Sequence, residues 1–471
     1  MIRVAVDGQP LSTPERWAVD LLLDLARLVP VHDPRADVVE LLISSSPSGT
    51  TLEECLRHGW HLRRADGRVE LPRAALQVVL DIAGCAVEQR SEAADRHGRV
   101  PSSENPLVRA ECERDPVISR AALALRHTAI DAADRRIMRL TTPWPGGRHW
   151  AAAITHDVDV MRWGPLFAGM RVAELTARGE VARAAGAAGA ALRGLRGDAV
   201  WKGIEEVLAR ETRRDIRATW FFLCGTPTLR TIRAGDLTYG PESVPVKRAV
   251  AAVGAAGHEL GLHGSFATML DSARFREQRE RLLRVGARSV AGVRQHFLRM
   301  RPGLTQREMR QAGFEYDATF GFPDRNGFRL GVADIVPAWD EHHQAPLDLS
   351  LVPLIWMDRA LSKYQRVEEP ERWVEDGLQL ARACRETNGL WVGLWHPNLV
   401  PSLGFPGAPR AFERLLDGIT ADEPYIAPLH ELVTWRHRRR ALRVIRVAED
   451  GRAELAGAGA EPDAPGLELV G

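Results

Sequence analysis

Three short apolar runs, residues 151–154, 218–223 and 390–394, each lead into polar residues. Runs of this length, with aromatic and β-branched members, are typical of buried strands. A fourth segment, residues 257–265, alternates leucines with polar or small residues and follows an Ala/Val-rich helical segment that ends at Gly257. Helical segments separate these stretches. The pattern therefore predicts strands that alternate with helices, as in an α/β protein.

The polar residues fall at the carboxyl ends of the predicted strands. Thr155-His156-Asp157-Val158-Asp159 follows the first run, and His263 lies near the end of the alternating segment. His396 follows residues 390–394, on the same face as Val392 and Leu394. In an α/β barrel the carboxyl ends of the strands build the site, so we expect an α/β barrel with its site at these residues.

Two of these residues, Asp157 and Asp159, are two positions apart and share one face of the chain. Both carboxylates stay charged in a cleft only if a cation or an arginine lies between them. A metal-dependent hydrolase uses such a pair, one carboxylate to hold the metal and the other to take a proton from water. The alternative interpretation is an Asx-type turn at a strand end.

Taken in order, the segments resemble the motifs of the polysaccharide deacetylases of carbohydrate esterase family 4, the NodB-homology type. The resemblance covers about residues 150–440. It implies a distorted (β/α) barrel that removes acetyl groups from sugars with a divalent metal. On matching positions it implies a general base at Asp157, metal ligands at Asp159 and His263, an arginine partner of the base at Arg294 and a general acid at His396.

The second motif departs from the family pattern, because Ala267 stands where a second histidine ligand usually lies. A catalytic zinc usually has three protein ligands. Asp159 and His263 therefore need a third partner. The candidates are His156, His258, Ser265 or a carboxylate.

Two other features are matched more loosely. The family's acidic, tryptophan-containing fourth motif corresponds to residues 334–340 with Trp339, and Asp358 is another candidate partner for His396. Three aromatic residues near the strand ends are predicted to stack on a sugar ring, with packing at the rim as the alternative. They are Trp163, Phe297 and Trp395.

The chain divides into three predicted regions. Residues 1–145 predict an α+β accessory region and residues 146–440 the barrel. Residues 449–471 predict a disordered tail, because Ala, Gly, Glu and Pro dominate them.

Within the accessory region, residues 14–28 and 76–88 predict helices and residues 37–43 a strand. The phrase Asp95-Arg96-His97-Gly98-Arg99 resembles one that precedes the barrel in a bacterial subgroup of the family. We interpret it as a structural loop, with reach to the barrel mouth as the alternative.

Composition excludes several classes of partner. Among 471 residues, 63 Lys and Arg balance 62 Asp and Glu, so no net field recruits nucleic acid or an anionic membrane. The basic run at residues 436–440 is interpreted as a solvated helix end rather than a polyanion site. No run reaches the length of a membrane span, and no secretory signal is visible. Five scattered cysteines suggest reduced thiols, so we expect a cytoplasmic protein. The pattern predicts no particular oligomeric state.

These observations predict a hydrolase that uses a divalent metal, zinc or another transition metal, to remove an acetyl group from an N-acetylated sugar. A glycan-assembly intermediate on a nucleotide or lipid carrier is the expected substrate. The alternatives are a metal-free glycan-binding protein, suggested by Ala267, and another C–N amidohydrolase such as a deformylase or cyclic-amide hydrolase. A Ser or Cys hydrolase and a nucleotide cofactor are disfavoured, because the corresponding glycine motifs are missing from the sequence.

Overall fold

The computed structural model describes residues 1–31, 36–45, 51–133, 139–161, 165–194, 199–236, 239–447, 453–456 and 464–469. Trp163, predicted to contact substrate, lies outside these ranges. The strands are β1 (Ile2–Val6), β2 (Val39–Ser44), β3 (Arg63–Ala65), β4 (Arg68–Pro72), β5 (Arg139–Thr141), β6 (Ala151–Val158), β7 (Thr219–Leu223), β8 (Glu259–Gly264), β9 (Gly292–Gln295), β10 (Tyr316–Asp317), β11 (Val336–Asp340), β12 (Ala345–Leu351), β13 (Trp356–Met357), β14 (Leu390–Leu394), β15 (Tyr425–Ile426), β16 (Arg443–Val447), β17 (Ala453–Ala456) and β18 (Leu467–Leu469).

Helices connect most of these strands, as the periodicity predicts. They are α1 (Thr13–Leu25), α2 (Leu52–Arg57), α3 (Arg73–Ile82), α4 (Ala86–Arg90), α5 (Pro106–Arg109), α6 (Val117–Ala133), α7 (Pro165–Ala177), α8 (Val181–Gly194), α9 (Ala199–Thr212), α10 (Leu229–Arg233), α11 (Val244–Ala255), α12 (Ser272–Val285), α13 (Leu304–Gln311), α14 (Pro370–Glu386), α15 (Ala408–Thr420) and α16 (Leu429–Ala441). Among the described residues, no helix combines the length and apolarity that crossing a bilayer requires.

The N-terminal part of the chain forms a four-stranded sheet in the order β1-β2-β4-β3. β1, β2 and β4 are parallel, and β3 is an antiparallel edge. α1 begins where the Glu15 carboxylate accepts a hydrogen bond from the Ser12 amide (2.7 Å) and Pro14 occupies the first turn. α1, α3 and α6 pack around this sheet. The predicted helix at 14–28 and the strand at 37–43 are confirmed as α1 and β2. The helix predicted at 76–88 is interrupted, because Cys85 adopts a left-handed conformation (φ 55°) between the end of α3 at Ile82 and the start of α4 at Ala86.

A second, larger sheet carries the predicted site strands. Its order is β11-β12-β10-β9-β8-β7-β6-β14-β13, and β15 pairs with the first residues of β6, upstream of β7. β10, β9, β8, β7, β6, β14 and β13 form one parallel series. Every residue of β6, β7 and β14 is buried, as expected for parallel strands with both faces covered.

One chain segment links the two ends of this parallel series. The Val352 amide donates to the Asp317 carbonyl at 2.8 Å, next to β10, and the Ile355 amide donates to the Val392 carbonyl at 3.0 Å, in β14. The last two residues of β12, Ser350 and Leu351, therefore pair with β10, and the same segment continues into β13 beside β14. The predicted α/β organisation with parallel strands is confirmed, whereas the closed barrel stays a prediction.

A buried ion pair joins the N-terminal part to the larger sheet. Glu88 in α4 and Arg329 are both 1% exposed, and Arg329 Nε lies 3.2 Å from Glu88 Oε2. Asn105 also donates to Glu88 at 2.6 Å, and Arg329 donates to the Gly321 carbonyl at 2.9 Å. The two parts of the chain are thus tied together by charges that have no access to water.

The basic run at residues 436–440 belongs to a second such contact, which corrects its interpretation as a solvated helix end. Arg436 and Arg439 are buried, and Arg436 Nη2 lies 2.8 Å from Asp24 Oδ2 in α1. Arg436 also pairs with Asp334 at 2.9 Å, and Arg440 Nε with Asp24 at 2.6 Å. The run docks the last long helix on the N-terminal part, a role that charge density alone does not reveal.

The expectation of a disordered tail is wrong for two segments. β17 pairs with β16 in antiparallel sense, and β18 pairs with β5. Backbone hydrogen bonds and the Arg27–Glu468 ion pair (2.6 Å) hold segments whose apolar content is low. The other tail residues, 448–452, 457–463 and 470–471, lie outside the described ranges.

We expect Glu88→Gln to lower the free energy of unfolding by about 3–5 kcal/mol, because it leaves the Arg329 charge buried without its counter-charge. The shift in the midpoint of urea denaturation measures this. Arg57→Met is the matched control, since it removes the exposed Arg57–Glu53 pair (2.7 Å) and should cost less than about 1 kcal/mol. Equal shifts for the two variants would contradict the role of the buried pair.

Candidate active site

The first site residue, Asp157, lies at the end of β6 and is 4% exposed. Arg294 Nη1 at the end of β9 donates to Asp157 Oδ1 at 3.0 Å and to the Thr155 hydroxyl at 2.9 Å. The guanidinium is fully buried, so this ion pair is shielded from solvent. The structure brings Asp157 and Arg294 together as the sequence predicts.

Arg294 is held rigidly by its surroundings. Its Nε donates to the Ala318 carbonyl at 2.9 Å, and its guanidinium lies 4.5 Å from the centroid of the Phe221 ring. Phe221 fits because residue 261 is glycine: a Cβ there would lie 2.5 Å from Phe221 Cε1. Gly261 in β8 therefore makes room for the ring on which the arginine rests.

A carboxylate and two imidazoles converge beside this ion pair. His263 Nε2 lies 3.2 Å, and His296 Nε2 3.6 Å, from Asp159 Oδ1. One potential ligand atom from each of the three residues lies within 4.8 Å of the other two. One carboxylate and two imidazoles form a usual ligand set of a catalytic zinc ion, and this set lies where the strand ends meet.

The outer nitrogens of both imidazoles are engaged by the protein. His263 Nδ1 donates to the Arg294 carbonyl at 2.9 Å, and His296 Nδ1 donates to Asp236 Oδ1 at 3.0 Å. Asp236 Oδ2 in turn accepts a hydrogen bond from the Phe266 amide at 2.6 Å. These contacts fix the rings and direct both Nε2 atoms at Asp159, as in sites built to bind a metal.

The charges of the site act on one another. Burial raises the pKa of Asp159, but the nearby charge of His296, the hydrogen bond with His263 and the charge of His396 outweigh burial and lower that pKa far below its usual range. Burial lowers the pKa of His296, but Asp159 and the hydrogen bond to Asp236 more than compensate and raise it. Asp159 thus stays ionised, which suits a carboxylate that holds a cation.

His396 completes the group from the other side of β6. It follows β14, and both oxygens of Asp358 hold it: Oδ2 accepts from the His396 amide and Oδ1 from Nδ1, each at 2.6 Å. Its Nε2 lies 3.5 Å from Asp159 Oδ2. Burial lowers the pKa of His396, but Asp358 outweighs burial and raises it. A histidine that retains its proton in this way is suited to donate it.

These side chains open on a cavity of about 370 Å³ whose wall includes Asp159, His296, Phe297 and His396. An adjoining cavity of about 80 Å³ also reaches Asp157, His263 and Arg99. Volumes in this range suit a small-molecule ligand.

The predicted aromatic residue Phe297 lies in the cavity wall. It adopts a left-handed backbone conformation (φ 62°) and stacks on His296 at 3.8 Å between ring centroids. Such strained conformations cluster at functional sites. His97 also stacks on it, at 5.0 Å, and Phe266 meets it edge-on at 6.4 Å. Phe297 thus lies in the cavity wall, and its contact with a sugar ring stays a prediction.

The Asp95–Arg99 loop of the N-terminal part also reaches the cavity. Arg99 donates to the Phe297 carbonyl at 2.5 Å and pairs with Asp95 at 2.7 Å, while Arg299 donates to the His97 carbonyl at 2.7 Å. The loop thus supports the cavity wall, and its Arg99 lines the smaller cavity. That Asp95 or His97 itself reaches a substrate stays a prediction.

Sequence alone does not identify His296, the third member of this group. His296 was visible two residues after Arg294, but none of the predicted candidates is this residue. His156 and His258 instead surround buried Glu211, at 2.8 Å and 3.8 Å. Ser265 bonds with Gln278 at 2.8 Å. These three candidates therefore have other partners than Asp159. His156 lies on the opposite face of β6 from Asp157, and His258 precedes β8 at the other end of that strand.

Two further sequence interpretations are corrected. Trp395 is buried in the core, where it stacks on Phe412 at 4.9 Å, because strand alternation turns it away from the face of His396. Among the described residues, Trp395 is not part of the wall of either cavity at the site. The loosely matched fourth motif is also elsewhere: Trp339 packs against Trp17 at 5.7 Å, and Asp358 makes the contact with His396.

No protein-family model matches the chain, and no curated protein matches it. Solved structures do. A Mycobacterium smegmatis protein assigned to the polysaccharide deacetylases is 19% identical, with a TM-score of 0.41 over 63% of this chain and 93% of that one. The chitin deacetylase of Colletotrichum lindemuthianum is 12% identical, with a TM-score of 0.32 over 62% and 89%.

A pseudoenzyme of carbohydrate esterase family 4 from Bacillus anthracis is 10% identical, with a TM-score of 0.28 over 60% of this chain and 65% of that one. The chain is thus similar to solved polysaccharide deacetylases, the family that its motifs resemble. Membership of a bacterial subgroup with an N-terminal region stays a prediction. We assign a function from the residues of the site.

We expect His296→Ala to abolish stoichiometric zinc binding, as should Asp159→Ala and His263→Ala, because each removes one of three ligands. Asp236→Asn should weaken affinity about 10–100-fold by releasing the His296 ring. Metal content by mass spectrometry and affinity by competition with a chelator measure these effects. His430→Ala, at a partly exposed histidine outside the site, is the control. Full metal content in His296→Ala would contradict the assignment of the third ligand.

Proposed function

We propose that this protein is a metal-dependent hydrolase that removes an acetyl group from an N-acetylated sugar. The observation that carries the proposal is the meeting of three groups in one cavity: an ion-paired carboxylate, a carboxylate with two imidazoles, and a histidine held by a third carboxylate. These are the parts that hydrolysis of an unreactive amide needs, namely a base, an electrophile-binding site and an acid.

Asp159, His263 and His296 would hold the divalent ion, with zinc as the first candidate because of the ligand set. When bound, such an ion supplies Lewis acidity that polarises the acyl carbonyl and acidifies water. His296 provides the nitrogen that Ala267 does not. This supports an active enzyme over the alternative of a metal-free glycan-binding protein.

Asp157 would act as the general base. Its Oδ1 is occupied by Arg294, and its Oδ2, 3.8 Å from His263 Nε2, faces the proposed ion site. The arginine orients the carboxylate, so that the second oxygen is directed at the position where water would attack. Asp157 would take the proton of that water.

His396 would act as the general acid. It lies on the opposite side of Asp159 from His263, and Asp358 holds its Nδ1 proton so that Nε2 faces the cavity. From there it would give a proton to the sugar amine as the C–N bond breaks, because an amine is a poor leaving group until it is protonated.

We further propose that the substrate is an intermediate of glycan assembly on a nucleotide or lipid carrier and that the enzyme acts in the cytoplasm. Five free thiols among the described residues support a reducing compartment. Fractionating the native host and assaying each fraction tests this. Activity confined to insoluble polymer would contradict the proposed substrate.

The same base, ion site and acid would also serve a deformylase or a cyclic-amide hydrolase, so this alternative stays open. A screen for acetate release from N-acetyl sugars, beside formate release and ring opening of cyclic amides, distinguishes the reactions. Acetate release from a sugar is the expected result. Turnover restricted to formamides or cyclic amides would refute the proposal.

We expect Asp157→Asn to cut kcat by about two to four orders of magnitude, because it removes general-base help and leaves shape unchanged. Zinc content should stay near that of the natural protein, since Asp157 is not among the proposed ligands. Asp348→Asn, at an exposed aspartate on β12, is the control and should keep full activity. Acetate release under saturating substrate measures the effect, and undiminished turnover would exclude Asp157 as the base.

We expect His396→Ala to lower kcat about 100-fold or more on a sugar amide, with a much smaller loss on an acetate ester that has a good leaving group. Asp358→Asn should show the same selectivity with a smaller loss, because the ring remains but is less well held. Comparing kcat for the amide and the ester in each variant measures this. Equal losses on both substrates would show that His396 supports structure rather than proton transfer.

A further inference from the structure

Two basic side chains, Arg359 and Lys363, line the catalytic cavity together with Asp159, His296 and His396. They also line the smaller adjoining cavity that holds Asp157. Neither has a part in the hydrolysis described above. Both are partly exposed, so a ligand in the cavity can reach them.

Within the part of the chain that the structure describes, neither cation forms an ion pair with an aspartate or glutamate. Other arginines in the same walls do: Arg171 pairs with Glu174 at 2.8 Å, and Arg99 with Asp95 at 2.7 Å. Burial lowers the pKa of Arg359, although the nearby charges of Asp358 and Glu174 act in the opposite direction. A half-buried charge without a direct ion pair costs stability, and such a group in a cleft is a candidate functional residue.

The two side chains are also close enough to influence each other. Arg359 directly precedes a π-helical turn, Ala360–Gln365, and Lys363 lies within it. The two residues are four positions apart, so their side chains lie on one side of the turn. Burial, followed by the charge of Arg359, lowers the pKa of Lys363 to about 8. An anion between the two side chains would offset the repulsion between their positive charges and raise the pKa of Lys363 again. Single π-helical turns are rare and often mark functional sites.

The position of the pair suggests which part of a substrate would carry the anion. Arg359 directly follows Asp358, which holds His396, the proposed donor to the leaving amine. In the proposed reaction the leaving amine belongs to the sugar, and the acetyl group would face the ion site. The basic pair, next to the residue that holds His396, would then lie on the sugar side of the bond that breaks.

We propose that Arg359 and Lys363 bind an anionic group, a phosphate or carboxylate, carried by the acetylated sugar. An arginine fork and a lysine ammonium are suited to such an oxyanion, the first by paired hydrogen bonds and the second as a point charge. The inference rests on the proposed deacetylase function and specifies its substrate class: charged acetylated sugars rather than neutral ones.

The first test compares acetate release from N-acetylglucosamine, N-acetylglucosamine 1-phosphate and N-acetylmuramic acid. We expect kcat/KM for a charged sugar to exceed that for the neutral one at least tenfold. Arg359→Gln and Lys363→Met should each reduce this ratio about tenfold or more, chiefly through KM. Arg372→Gln, at an exposed arginine on α14, should leave the ratio unchanged. A ratio near one in the natural protein, or one unaffected by either variant, would overturn the inference and leave the deacetylase proposal intact.

The second test measures binding without turnover. Isothermal titration of the full-length Asp157→Asn protein with the same three sugars should show at least tenfold tighter binding of a charged sugar, lost in Asp157→Asn/Arg359→Gln. If no sugar releases acetate but this preference is present, the proposed function fails and the anion site stands. Equal binding of charged and neutral sugars would overturn the anion site.

A third comparison separates the sources of the anion. Nucleoside diphosphate-linked and prenyl diphosphate-linked N-acetylglucosamine are assayed beside the 1-phosphate. A preference for either carrier-linked sugar supports the inference and shows which carrier supplies the anion. Poorer turnover of all three phosphates than of the neutral sugar would overturn it.

Discussion

The site depends on one buried side chain, Arg294, because it contacts both halves of the chemistry. Its guanidinium binds Asp157, while its own carbonyl accepts the Nδ1 proton of His263. Base and ion ligand are therefore set by a single residue at the end of β9. Phe221 supports the guanidinium, and Gly261 leaves space for that ring. A shift of this arginine would move the base and turn the imidazole at the same time, so the core beneath it must be packed closely.

The residues that sequence alone identifies share one property: each ends or directly follows an apolar strand. Asp157, Asp159, His263 and His396 are of this kind, and parallel pairing of neighbouring strands brings them to one edge. Strand alternation then predicts which face they occupy. This is why most of the sheet and most of the candidate site could be predicted without a structure.

The rest depends on contacts between residues far apart in sequence. His296 lies beyond the last residue of β9, in a turn with left-handed conformations that no periodicity foretells, and its partner Asp236 is 60 residues away. The burial of Arg436 requires a carboxylate from α1. Trp395 shows the opposite case: it is next to His396, the proposed general acid, yet its ring belongs wholly to the core.

The contact of the Asp95–Arg99 loop with Phe297 means that two parts of the chain together form the wall of the cavity. In the proposed function, ion binding and proton transfer would belong to the larger sheet, whereas part of the wall comes from a loop of the N-terminal part. Changes in that loop would then alter which sugars fit while the proposed ligands and base stay as they are. Selectivity and chemistry would thus vary independently, and the larger sheet by itself would leave one side of the cavity open.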